Sequence, residues 1–210
     1  MRYAAIFCDL GGVALTNGWD RKERAAAAQQ FGMEPNELER RHAAAADDFE
    51  CGRLPLGRYL ESVFLTAPDS AKAESIRAFM QAQSRPYPAA LEALARIGRR
   101  NPGLLLATLN NEAAELNQYR IETFRLRDYF RLFFSSCYLG ARKPDPRAYQ
   151  LVLAYTQLPA PACLMLDDRE ENLAAAGRLG MATWHITVPG DLSRVEQMLN
   201  QASAPAGARL

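Results

Sequence analysis

The sequence predicts an α/β fold, with a parallel sheet covered on both faces and a helical subdomain inserted near its amino end. Three observations carry this. From Pro88 onward, helical and strand patterns alternate. The strand segments are nearly continuous apolar runs, as in sheets buried on both sides. Between residues 17 and 85, four helical patterns follow one another with no strand among them. The 210 residues suit a core with one insertion, and a 49% hydrophobic content supplies a substantial interior.

The first element is the apolar run Tyr3–Cys8, read as a buried strand that ends at Asp9 in Asp-Leu-Gly-Gly-Val. The two glycines permit a tight turn at the strand's carboxyl end. Asp20 can cap a helix that stops at Gly32, and Pro35 starts a second that ends near Gly52. Residues 54–65 and 71–83 read as two further amphipathic helices. The prolines at 86 and 88 then break the chain, giving a core of residues 1–16 and 86–210 and a helical cap of 17–85. The remainder is expected to run helix 89–100, strand 104–109, helix 112–129, strand 132–138 and helix 144–158. Strand 162–166, helix 170–179, strand 182–187 and helix 192–201 follow.

Composition excludes several classes. A net charge of +1 gives no global attraction to nucleic acid or a membrane surface. Cys8, Cys51, Cys137 and Cys163 are widely spaced and only two histidines are present, which argues against a zinc site. The apolar stretch at the amino end is short and interrupted by Asp9, and no run approaches the ~20 residues of a membrane helix. A cytoplasmic protein, either monomer or homodimer, is expected.

In an open parallel sheet, ligands bind beyond the carboxyl ends of the strands. Those ends carry Asp9, then Thr108 followed by Asn110, Asn111 and Glu112, and then Asp167 and Asp168. Lys143 lies in the loop Gly-Ala-Arg-Lys-Pro-Asp-Pro, ahead of a helix that Pro144 is expected to start. Each has an ordinary explanation alone. Asp9 could hold its own turn, Asp168 could cap a helix with Glu171, Thr108 could reflect strand propensity, and Lys143 could be a solvated charge. Their coincidence on one rim of the sheet favours a site. Three carboxylates beside one ammonium repel one another unless a cation compensates, and a hard divalent ion such as Mg2+ accepts carboxylate and phosphate oxygens together.

The ordered set of Asp-Leu-Gly-Gly-Val, Thr108, Lys143 in Arg-Lys-Pro-Asp-Pro, and Met-Leu-Asp-Asp with Asn172 and Gly180-Met181 resembles the haloacid dehalogenase-like hydrolase superfamily. The resemblance covers essentially the whole chain and implies a Rossmann-like sheet under a helical cap. It further implies a magnesium-dependent phosphatase of small phosphorylated metabolites, with sugar phosphates among the candidates. In that scheme Asp9 is the nucleophile that becomes an aspartyl-phosphate, Thr108 bonds a phosphoryl oxygen and Lys143 balances charge. Asp9, Asp168 and the carbonyl of Gly11 would bind Mg2+, with Asp167 acting indirectly.

One position departs from the pattern. Phosphatases of this family usually carry a second aspartate, the general acid, two residues after the nucleophile, where this chain has Gly11. The expectation is either a preference for good leaving groups or a substitute acid such as Glu112, whose alternative role is to favour a helix dipole. Substrate contacts are expected from Asn17, Trp19, Asp20, Asn110 and Asn111, with hinge packing as the alternative for Trp19. Two other functions stay open at this stage. One is metal-independent haloacid dehalogenation, and the other is a catalytically weak member that binds a ligand or partner.

Overall fold

In a computed structural model, which describes residues 3–65 and 69–203, the chain forms a parallel sheet of five strands. These are β1 (Ala5–Cys8), β2 (Leu105–Asn110), β3 (Leu132–Ser135), β4 (Cys163–Asp167) and β5 (Ala182–His185), in the order β3-β2-β1-β4-β5. The strand bearing Asp9 is therefore central, flanked by the strands that lead to Asn110 and Asp168. The register pairs Cys8 with Thr108 on one side and with Leu166 on the other.

Side chains alternate across the sheet with period two, which sorts the apolar run of β1 into two cores. Ile6 and Cys8 join Leu106 and Leu164 on one face, under α5 (Pro88–Arg100) and α10 (Ser193–Ser203). Ala5 and Phe7 join Ala107, Leu109 and Met165 on the other, under α8 (Pro146–Thr156) and α9 (Glu170–Arg178). Leu94 and Ile97 from α5, and Tyr149 and Val152 from α8, are fully or almost fully buried. Each such side chain contributes about 1.5–3 kcal/mol of burial.

Four helices stand between β1 and α5: α1 (Arg21–Phe31), α2 (Pro35–Glu50), α3 (Leu56–Phe64) and α4 (Ser70–Ala82). Asp20 caps α1 by accepting from the Lys22 amide, and Gly32 closes it in the left-handed conformation. The four helices share a core of their own, including Leu38, Phe49, Tyr59, Leu60, Ile76 and Met80. Ala113 and Leu116, the latter on α6 (Ala114–Thr123), join that cluster from the sheet domain. The two connecting segments are paired with each other. Thr16 N donates to Arg85 O at 2.8 Å, Tyr87 N to Ala14 O at 2.9 Å, and Thr16 Oγ1 to Gln83 O at 2.7 Å. No helix is long and apolar enough to cross a membrane among the described residues.

Several boundaries differ from the sequence reading. The helix expected over 112–129 ends at Thr123, because Arg125 turns left-handed (φ 50°) and feeds a 3-10 turn, Leu126–Asp128, that buries Leu126. The strand expected to reach residue 138 stops at Ser135 and gives way to a single helical turn, α7 (Ser136–Leu139), closed by Gly140. Pro146, not Pro144, begins α8, with the Asp145 carboxylate accepting from the Arg147 amide. The strand expected over 182–187 ends at His185.

Candidate active site

The carboxyl ends of β1, β2 and β4 open onto a cavity of ≈ 650 Å³ roofed by the helical insertion. Asp9 extends from β1. Its Oδ1 accepts from the Leu10 amide at 2.8 Å and meets Lys143 Nζ at 3.1 Å, while its Oδ2 accepts no hydrogen bond among the described residues. Lys143 is 2% exposed, although it sits in a loop, because its ammonium lies between Asp9 and Asp167, 2.6 Å from Asp167 Oδ2. Asp167 is fully committed: Oδ1 accepts from Arg169 N at 2.9 Å, and Asn172 Nδ2 reaches both oxygens at 3.0 and 3.1 Å.

Asp168 is placed differently. Its Oδ1 is buried without a hydrogen-bond partner among the described residues. Its side chain lies over Gly12, where an added Cβ would fall 2.2 Å from Asp168 Oδ2, and the backbone there is left-handed (φ +69°). Asp168 does not cap α9; Arg169 holds that position. Ligand oxygens of Asp9, Asp167 and Asp168 all fall within 4.8 Å of one another.

The electrostatics follow from three carboxylates beside one buried ammonium. Burial pushes the Asp9 carboxyl up to about 7, with Asp167 and Asp168 adding to the rise and Lys143 opposing it. Asp168 is raised by burial and by Asp167. Burial works against the charge on Lys143, yet Asp9 and Asp167 together hold its ammonium above the ordinary lysine range. An orphaned carboxylate oxygen beside two further carboxylates is the donor set that a small hard cation such as Mg2+ takes.

Thr108 lies elsewhere than expected. It is fully buried two residues short of the end of β2, its hydroxyl has no hydrogen-bond partner among the described residues, and it does not border the cavity. Asn110 and Asn111 stand at the rim in its stead. Asn110 is held by Ser135 Oγ and Asn117, and Asn111 grips the Lys143 backbone through two hydrogen bonds of 2.8 Å. Glu112 also borders the cavity, before α6 begins and not in its first turn. Its carboxylate is paired with Arg120 Nη1 at 2.7 Å, and its affinity for a proton is raised by burial, with Arg120 opposing.

Asn17 occupies the space beside Gly11: a Cβ there would lie 2.6 Å from Asn17 Oδ1. The amide is steadied by Asp20, whose Oδ2 accepts from Asn17 Nδ2 at 3.2 Å. Trp19 both borders the cavity and packs in the core of the insertion, against Phe64.

The sequence reading missed Arg120 and the wall supplied by α2. Arg120 is 3% exposed and clamps both connecting segments, donating to Asn17 O at 2.6 Å and Ser84 Oγ at 3.0 Å. Its signal was an arginine on the same helical stripe as Leu116. His42, Phe49 and Glu50 border the cavity from α2. Leu38, His42, Ala45 and Phe49 recur at helical spacing, a stripe in which the histidine is the odd member.

The fold and the site define a Rossmann-like domain with a cation-seeking acidic cluster above its central strands. The model of the haloacid dehalogenase-like hydrolases matches residues 3–180, and the chain belongs to that family of enzymes. A Mycobacterium tuberculosis protein named Phosphatase MT3486 is 28% identical over 198 residues, covering 90% of each chain. A phosphoserine phosphatase of Thermus thermophilus is 31% identical over 121 residues, 56% of this chain and 48% of its own. Among solved structures, a haloacid dehalogenase family enzyme of Bacteroides thetaiotaomicron, in complex with magnesium and inorganic phosphate, superimposes with a TM-score of 0.77 at 19% identity. That match covers 92% of this chain and 98% of the other. At this identity the structural likeness establishes the fold.

Proposed function

We propose that this enzyme is a magnesium-dependent phosphatase of small phosphorylated metabolites, acting through a covalent phosphoryl group on Asp9. The observation that carries the reading is the orphaned Asp168 Oδ1 within reach of the Asp9 carboxylate. Asp9, Asp168 and the Gly11 carbonyl would hold Mg2+, and Asp167, whose oxygens are already engaged, would act by fixing Lys143. The bound ion would supply positive charge to the phosphoryl oxygens and to the crowded carboxylates.

Asp9 attacks phosphorus, the bond to the leaving oxygen breaks, and that oxygen takes up a proton. Water then cleaves the acyl phosphate, which releases inorganic phosphate and restores the carboxylate. Lys143 offsets charge on the nucleophile and the phosphoryl group. Asn110 and Asn111, at the rim of β2, take the positioning role the sequence reading gave to Thr108. No side-chain acid stands at Gly11, the Asn17 amide beside it is too weak an acid to protonate a leaving group, and Glu112 is committed to Arg120. The missing acid therefore slows the chemical step on esters of poor leaving groups, an effect on kcat that is separate from which alcohol the cavity binds.

A panel of phosphorylated sugars, nucleotides and acids, assayed for phosphate release with magnesium and with a chelator, tests this. Turnover should require magnesium and disappear in Asp9→Asn. Turnover that persists in the chelator, or in that variant, would defeat the mechanism.

A further inference from the structure

The wall of the cavity contributed by the helical insertion contains a hydrogen-bond relay of fixed direction. Trp19 Nε1 lies 2.9 Å from Tyr59 Oη, and His42 Nδ1 lies 2.8 Å from the same oxygen. The indole nitrogen can only donate, so Tyr59 Oη accepts from it. Tyr59 is fully buried, and His42 Nδ1 is the acceptor within reach of its own proton among the described residues. Nδ1 is therefore the unprotonated nitrogen of a neutral ring, and the proton sits on Nε2. The stack of Tyr59 on Phe49, 3.9 Å apart and 9° from parallel, fixes the phenol in place.

His42 borders the cavity, and its Nε2 makes no hydrogen bond among the described residues. Burial and the nearby Arg24 hold the ring neutral, well below the usual histidine range, at about 4. Arg24 itself is occupied by Glu39 and by the Trp19 carbonyl. Glu50, further along the same wall, has a buried Oε2 that lies 3.1 Å from Arg142 Nε without the alignment of a hydrogen bond. A neutral N–H donor and a carboxylate acceptor on one wall of the cavity suit hydroxyl groups, which both donate and accept.

Resting on the phosphatase reading, we propose that His42, held as the Nε2–H tautomer by the Trp19–Tyr59 relay, is a specificity-determining donor that selects phosphate esters of hydroxyl-bearing alcohols.

The test uses the magnesium-loaded enzyme with a sugar phosphate and with phenyl phosphate, which lacks hydroxyls. His42→Phe should raise KM for the sugar phosphate about tenfold, as expected for one lost hydrogen bond, and leave phenyl phosphate within about twofold. His42→Gln, which keeps an N–H donor, should restore most of the preference. In nitrogen NMR, wild-type His42 should show a protonated Nε2 and a bare Nδ1, and Tyr59→Phe should mix the two tautomers. Equal losses on both substrates, no loss on either, or a protonated Nδ1 in the wild type would overturn the assignment while leaving the phosphatase reading intact. Wild-type inactivity on both substrates would overturn the phosphatase reading, and this assignment with it.

Discussion

Replacing Gly11 with aspartate would restore the side chain that related phosphatases use as an acid, and the structure predicts that Asn17 blocks it. The new Cβ would lie 2.6 Å from Asn17 Oδ1 and 3.3 Å from Asn17 Cα. The first contact is about 1 Å inside a normal separation, and overpacking of that kind costs about 1–3 kcal/mol. For a chain of this size that is a fall of about 2–12 °C in thermal midpoint. Asn17→Ala removes the Oδ1 clash and leaves the softer backbone approach, so the double variant should recover much of the loss. A double-mutant cycle on unfolding free energies should give a coupling of at least about 1 kcal/mol, beyond the ~0.5 kcal/mol scatter of independent sites. With room for the carboxyl, the double variant should also gain on an alkyl phosphate relative to p-nitrophenyl phosphate, within the ~10²–10⁴ range of acid assistance. If Gly11→Asp is as stable as the wild type, and the two substitutions are additive, the reasoning about Asn17 is wrong.

Asp168→Asn should abolish the magnesium-induced rise in thermal midpoint while leaving the metal-free midpoint close to wild type, as scanning fluorimetry would show. Arg120→Met leaves Glu112 buried without its partner and frees both connecting segments, so chemical denaturation should show a loss of about 3–5 kcal/mol. The Arg24 hydrogen bonds hold the Glu39 carboxyl below the usual range, so its contribution is present at neutral pH and lost as pH falls through that lowered value. The thermal midpoint should therefore fall as pH drops below the ordinary glutamate value of 4.5, and Glu39→Gln should flatten that slope. A drop that is equally steep in the variant would remove Glu39 from the explanation.

The strands and the acidic cluster were legible because each depends on short-range pattern. An apolar run ending in Asp9, or in Asp167-Asp168, fixes both the element and the side chains at its end. The end of β2 was harder to place. In Leu-Leu-Leu-Ala-Thr-Leu-Asn-Asn the threonine and the first asparagine are two residues apart and so share a face; only the pairing of Cys8 with Thr108 shows that the rim lies further on. Lys143, alone, could pass for a solvated loop charge; its coincidence with the acidic residues drew it into the candidate site, and the fold brings Asp9 and Asp167 around its ammonium. Arg120 and His42 were missed for a related reason. Their partners, Asn17, Ser84 and Tyr59, are distant in the sequence, and nothing local marks a buried polar side chain as satisfied. Helix α6 was drawn too long because the break depends on the left-handed Arg125 and the burial of Leu126, which tertiary packing decides.

The pairing of Thr16 with Arg85 and of Leu15 with Pro86 places the two ends of the helical insertion one strand spacing apart, about 4.8 Å. A module whose termini touch can be excised and replaced by a short turn, or exchanged for a different module, without moving the strand that bears Asp9. The ribbon joining the two halves thus makes the roof over the chemistry an interchangeable part, while the sheet beneath it stays constant.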